Sequence, residues 1–256
     1  MDNVLLSAEG VLVRYNENEV LHKVSASFRG GRITAVIGPN GSGKSTFLKT
    51  LIGLVPKTEG VILSGGVSID KLSASQIARK IAYLPQIKNI PDLSARTMVL
   101  HGRFSHLSYP RRYRSEDIRA AEEALRTVGI EEIADKSVSS LSGGTVQLIF
   151  LAMALAQDSP VILMDEPASF LDIAHQIKLM ELCSSLADKG KAVVMVMHDI
   201  PMTLKYAHEI VILSEGRIAA AGTSLQVYES GVLDKVFGVR VNHVDTERGR
   251  VYFCEI

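Results

Sequence analysis

Residues 38–46 read Gly38-Pro39-Asn40-Gly41-Ser42-Gly43-Lys44-Ser45-Thr46. They fit the phosphate-binding loop pattern, with Gly38, Gly43, Lys44 and Ser45 in its fixed places. Such a loop must set a concave row of backbone N–H groups around a polyphosphate. Its three glycines let the backbone turn tightly and approach the phosphate oxygens. The flanks agree: residues 32–37 read as a short buried strand, and 46–52 as a helix stopped by Gly53. The helix start then aims free N–H groups and its dipole at the anion. In that arrangement Lys44 reaches the β- and γ-phosphates, and the Ser45 hydroxyl binds Mg²⁺. Nucleotide binding is therefore expected.

Five other positions answer to this loop. The apolar run 161–164 reads as a buried parallel strand and ends in Asp165-Glu166. Carboxylates at the C-terminal edge of such a strand lie beside the phosphate loop. Asp165 is expected to hold Mg²⁺, directly or through water. Glu166 is expected to act as general base on the attacking water. His198 follows the next buried strand and can contact a γ-phosphate. Gln86 also follows a strand and can orient water or touch Mg²⁺. Tyr15, just before a polar turn, can stack on an adenine face or be an ordinary half-buried sheet residue. The other histidines, His22, His101, His106, His175, His208 and His243, show no ligand spacing.

Composition narrows the rest. Lysine plus arginine and aspartate plus glutamate both number 28, so no whole-chain field attracts nucleic acid or anionic lipid. The densest basic run, Arg111-Arg112-Tyr113-Arg114, reads as a solvated loop. Cys183 and Cys254 are far apart and out of C-x-x-C spacing, so neither a disulfide framework nor a zinc site is expected. Asp2 and Asn3 stand where a signal peptide would have a basic start. The longest apolar run, 148–156, is too short to span a bilayer. A soluble chain is expected, and any work at a membrane needs a partner there.

In chain order, residues 3–37 hold short apolar runs at 4–6, 11–13, 20–21 and 24–28, with a turn at 16–19. A strand pair is expected over 60–69. Ser73-Ala74-Ser75-Gln76 starts a helix through Lys80, and 81–84 is a strand. The stretch 87–140 reads as a helical insertion: Pro91-Asp92-Leu93-Ser94 opens a helix to about Gly102, and Ser115-Glu116-Asp117 caps another. That second helix should bury Ile118, Ala121, Leu125 and Val128 and stop at Gly129. From 141 the βα alternation resumes, with helices over about 145–157, 172–187 and 201–207 and strands at 192–197 and 210–213. A hairpin is expected at 239–256 around Arg248-Gly249.

Read together, Tyr15, the phosphate loop, Tyr83-Leu84-Pro85-Gln86, Leu141-Ser142-Gly143-Gly144, Asp165-Glu166-Pro167, Ser169-Phe170-Leu171-Asp172 and His198 stand in the order of an ATP-binding cassette ATPase, which the whole chain resembles. The resemblance implies an α/β fold in one domain, 1–256. Residues 1–86 and 141–256 form a P-loop NTPase core with a mainly parallel sheet and an antiparallel β subdomain, and 87–140 a helical subdomain. It implies ATP and Mg²⁺, and two copies that sandwich two ATP molecules head to tail. Ser142, Gly143 and Gly144 of one copy would close on the γ-phosphate held by Lys44 of the other. Tyr15 would stack on adenine, Asp172 would join the two sites, and His198 would sense the γ-phosphate.

A narrower resemblance rests on His101-Gly102-Arg103-Phe104-Ser105-His106, Leu171-Asp172-Ile173-Ala174-His175-Gln176 and His198-Asp199-Ile200-Pro201-Met202. These look like the ATPase subunits of iron-siderophore importers, a group that includes cobalamin and haem importers. It implies a membrane permease as partner, docked near Gln86 and the insertion at the cytoplasmic face. An extracytoplasmic binding protein acts indirectly, and no nucleic acid is involved. Other readings are an importer ATPase for cobalamin, haem or molybdate, a soluble non-transport cassette, or a module that binds ATP and barely hydrolyses it.

Three positions depart from the family pattern: Thr145 where Gln or Glu is usual, Met153 where an arginine is common, and Phe170 in place of a smaller residue. Ser142 and both glycines remain, so activity is expected. Thr145→Gln should change ATP turnover or dimer affinity modestly; unchanged values in steady-state hydrolysis and in sedimentation with ATP would contradict this.

Overall fold

The computed structural model describes residues 3–86, 90, 92–169, 171–247 and 249–256. In chain order the elements are β1 (Val4–Tyr15), β2 (Asn18–Arg29), β3 (Arg32–Ile37), α1 (Lys44–Leu51), β4 (Glu59–Ser64), β5 (Val67–Ser68), α2 (Ala74–Lys80) and β6 (Ile81–Leu84). Then come α3 (Ala95–Leu100), α4 (Ser115–Val128), α5 (Gly143–Ala156), β7 (Val161–Asp165), α6 (Ile173–Asp188), β8 (Ala192–Val196) and α7 (Ile200–Tyr206). The chain closes with β9 (Glu209–Ser214), β10 (Arg217–Thr223), α8 (Ser224–Glu229), α9 (Val232–Phe237), β11 (Arg240–Thr246) and β12 (Gly249–Glu255).

A six-stranded sheet runs β10-β9-β3-β8-β7-β6, parallel except for β10 at its edge. Its inner strands are buried on both faces, and their side chains divide with period two. Ile33, Ala35, Ile162, Met164, Val193, Met195, Ile210 and Ile212 pack with α5 and α6. Val36, Val161, Leu163, Ala192, Val194, Val211 and Leu213 pack with α1 and with a second, antiparallel sheet of order β2-β1-β4-β5. The loops after β3, β6, β7 and β8 therefore all leave from one edge. No helix among the described residues is long and apolar enough to cross a membrane.

Several expectations change in detail. The four N-terminal apolar runs join into the two long strands of one hairpin. Asn18 and Glu19 belong to β2, which leaves a turn of only Asn16 and Glu17. On α4 the expected core residue Ile118 is 43% exposed. Asp117 is buried in its place, accepting from the Arg114 backbone N–H at 2.9 Å and from Arg103 Nε at 3.1 Å. The helix opened by Ser94 ends at Leu100 and continues as a tighter 3-10 turn, His101–His106. Helices α8 and α9 were not expected. Pro91 and Arg248 lie outside the described residues.

The segment 101–106 fastens the insertion to α5, which lies beyond residue 140. Arg103 Nη1 donates to the Ala156 carbonyl at 3.0 Å, and His106 Nε2 bonds the Gln157 carbonyl at 2.9 Å. These groups satisfy carbonyls that the end of α5 would otherwise leave open. The Arg79 side chain donates to the Ser105 carbonyl at 2.7 Å, which adds α2. Gly102 makes the approach possible, because a Cβ there would sit 2.2 Å from the Met153 carbonyl oxygen. Gly102→Ala is expected to cost about 1–3 kcal/mol by overpacking. Thermal unfolding should show it as a fall in Tm of roughly 2–4 °C per kcal/mol.

Candidate nucleotide site

The loop after β3 turns against β9. A Cβ on Gly38 would lie 1.9 Å from the Leu213 carbonyl oxygen, so only glycine fits there. Lys44, the first residue of α1, is buried and donates from Nζ to the carbonyls of Gly38 at 2.8 Å and Pro39 at 2.9 Å. Burial pushes its ammonium below the ordinary lysine range, while the charges of Glu166 and Asp165 act against that shift. A cleft of about 220 Å³ opens above, lined by Val20, Asn40, Gly41, Gly43, Lys44, Ser45, Thr46 and Glu166. In the loop itself the Ser42 hydroxyl is buried without a hydrogen-bond partner among the described residues. A cationic side chain, a helix start and an unsatisfied hydroxyl are a donor set suited to an anion.

Asp165 ends β7 and is 2% exposed. Its carboxylate accepts from Ser45 Oγ at 2.9 Å and from the Tyr83 hydroxyl at 3.4 Å. Burial raises its pKa and the charge of Glu166 adds to the rise, against the pull of Ser45, Lys49 and Tyr83. Burial and the Asp165 charge likewise push the Tyr83 phenol well above its ordinary value. A buried carboxylate whose hydrogen bonds among the described residues come from two hydroxyls, one of them a helix-start serine, fits a hard divalent cation with oxygen ligands.

Glu166 behaves differently one residue on. Its backbone is left-handed, with φ 54°, a conformation costing a non-glycine residue on the order of 1 kcal/mol or more. The turn swings its side chain out of the strand line to meet three partners. Oε1 pairs with His198 Nε2 at 2.7 Å, and Oε2 accepts from Gln86 Nε2 and Ser169 Oγ, each at 3.2 Å. Burial pushes this carboxyl up, but the hydrogen bond and charge of His198, the Ser169 hydroxyl and the Lys44 charge together bring it below the usual range. The two adjacent carboxylates are thus set apart by environment.

The fold brings Lys44, Ser45, Asp165, Glu166, His198 and Gln86 to one sheet edge. Gln86 is tied to Glu166 rather than to Asp165. Tyr15 is 47% exposed and is not among the residues lining the cleft; Val20 enters from β2 instead. Ser142, Gly143 and Gly144 open α5 and are not among the residues lining the cleft. Ser142 caps that helix, accepting from the Thr145 N–H at 3.3 Å and lying 2.9 Å from its hydroxyl. Asp172 caps α6, where the His175 backbone N–H and ring hold its carboxyl below the ordinary range. Phe170 lies outside the described residues. Ser169, Tyr83 and Val20 carry no role in the sequence reading. The register of β6 against β7, Leu84 opposite Met164, is the signal that would have brought Tyr83 near Asp165.

The family model "ABC transporter" matches residues 21–169. The iron(3+)-hydroxamate import ATP-binding protein FhuC of Bacillus subtilis is 35% identical over 97% of this chain and 93% of its own length. Among solved structures, a metal-chelate type ABC transporter in an inward-facing conformation superposes with TM-score 0.84 at 27% identity, covering 98% of this chain and 96% of that one. The dimeric structure of a bacterial ABC transporter cassette, MJ0796, superposes with TM-score 0.76 at 28% identity over 86% of this chain and 98% of that one. With the phosphate loop, the Asp165–Glu166 pair and the α5 cap all in place on the fold, the chain belongs to the ABC transporter family.

Proposed function

We propose that this chain is the ATP-hydrolysing subunit that powers import of a metal chelate, foremost a ferric siderophore, through a membrane permease. The observation that carries the reading is Glu166: ionised, held on both oxygens by His198, Gln86 and Ser169, and lining the cleft that holds Lys44. Lys44, with the loop N–H groups of residues 38–46, cradles the β- and γ-phosphates of ATP. Ser45, Asp165 and Gln86 are the residues that would hold Mg²⁺, and the ion would neutralise phosphate charge. Glu166 accepts a proton from the attacking water; a carboxylate has lone pairs to spare beyond its three present partners. His198 orients Glu166 and meets the γ-phosphate.

Ser142, Gly143 and Gly144 do not line their own chain's cleft, which supports a site completed by a second copy. In that homodimer they face the partner's γ-phosphate, Asp172 lies between the two sites, and Tyr15 stacks on adenine. The permease docks near Gln86 and the insertion at the cytoplasmic face. An extracytoplasmic binding protein delivers the chelate to it. The likeness to FhuC and to the metal-chelate transporter supports this choice of cargo.

Two experiments test the reading. Glu166→Gln should lower ATP turnover by about 10²–10⁴-fold while nucleotide binding persists; equal turnover by both proteins would leave a binding module instead. Uptake of radioactive iron supplied as several chelates, in cells lacking this gene, should return with the wild-type gene and not with Lys44→Ala. Normal uptake without the gene would remove iron as cargo, and rescue by Lys44→Ala would remove the phosphate loop from transport.

A further inference from the structure

One stretch of surface differs from the rest of this charge-balanced chain. Residues 101–114 hold four arginines and three aromatic residues and no aspartate or glutamate. Arg103 is spent inside, on Asp117 and the end of α5. Arg111, Arg112 and Arg114 are exposed, as is every residue from 108 to 112. Tyr109 is 97% exposed and Phe104 48%. The Arg111 guanidinium lies over the Phe104 ring, 4.6 Å from its centroid, and has no carboxylate partner among the described residues. Arg114 has only a loose contact with Glu116, at 3.6 Å. The base of this loop is fixed by Gly102, Arg103 and His106 against α5.

We propose that residues 104–114 are a contact surface for anionic lipid headgroups, a second attachment beside the permease. The inference rests on the reading that the chain works at the cytoplasmic face of a membrane. Tyrosine and arginine side by side are the composition of a membrane–water interface, where an amphipathic ring and a charged head both find partners. Charge selects lipid over the permease as the occupant. Cytoplasmic loops of integral proteins carry an excess of Lys and Arg and would repel an arginine patch, whereas the cytoplasmic leaflet is negative. A nucleic-acid partner would need a wider basic field than one loop of a neutral chain offers.

The test is co-sedimentation of the full-length protein with vesicles. Each exposed arginine contributes about five-fold to binding an anionic surface. Phosphatidylcholine vesicles containing phosphatidylglycerol should therefore take up the protein about a hundred-fold better than phosphatidylcholine alone. The preference should vanish near 1 M salt, where charges are screened within about 3 Å. R111Q/R112Q should lose about 25-fold, while R111K/R112K stays near wild type and ATP hydrolysis in solution is unchanged in both. Equal binding to the two vesicle types, or full binding by R111Q/R112Q, overturns the proposal, as does binding of a single-stranded oligonucleotide in place of vesicles. Loss of the vesicle preference with chelate uptake intact sinks this inference alone. Uptake rescued by Lys44→Ala sinks the transport reading and leaves the vesicle result standing.

Discussion

Strand β3 is the member on which the site depends. It pairs in parallel with β8 on one side and β9 on the other, and both its faces are buried. Parallel pairing puts the same end of neighbouring strands at the same edge. The phosphate loop, the Asp165-Glu166 pair, His198 and Gln86 come together because β3, β7, β8 and β6 run the same way. No single side-chain contact could assemble residues from positions 44, 86, 166 and 198. Such a sheet is buried on both faces, which is why its strands read as unbroken apolar runs.

On that edge, two neighbouring carboxylates face opposite conditions. Asp165 stays in the strand, bonded to hydroxyls, and burial raises its pKa. Glu166 leaves the strand through a left-handed turn, gains an imidazole, an amide and a hydroxyl, and ionises readily. The turn costs free energy, which the three hydrogen bonds at about 1 kcal/mol each offset. The contrast between two adjacent carboxylates thus goes with one backbone dihedral.

Much of this was legible in the sequence. The phosphate loop, the βα alternation after 141, the strand at 81–84 and the helix starts at Ser73 and Ser94 depend on local patterns of a few residues, and local patterns are what a sequence displays. The β1–β2 hairpin was read as fragments because polar residues and Gly10 interrupt its apolar runs. On α4 the periodicity finds Ala121, Leu125 and Val128 but misplaces Ile118, because Asp117 is buried by Arg103, a partner 12 residues before the helix starts. Helices α8 and α9, with 6 residues each, are too short to show a periodicity. The grip of His198 and Gln86 on Glu166 joins residues 32 and 80 positions apart, and the left-handed turn that permits it has no signature in residue type.

The fastening of residues 101–106 to the far end of α5 has a mechanical meaning. Helix α5 has 14 residues, a rod of about 21 Å at 1.5 Å per residue. Its C-terminal end is clamped by Arg103, His106 and the close seat of Gly102. Its N-terminal end is Ser142. The clamp removes slack at that end, so α5 is a stiff rod that joins residues 101–106 at one end to Ser142 at the other.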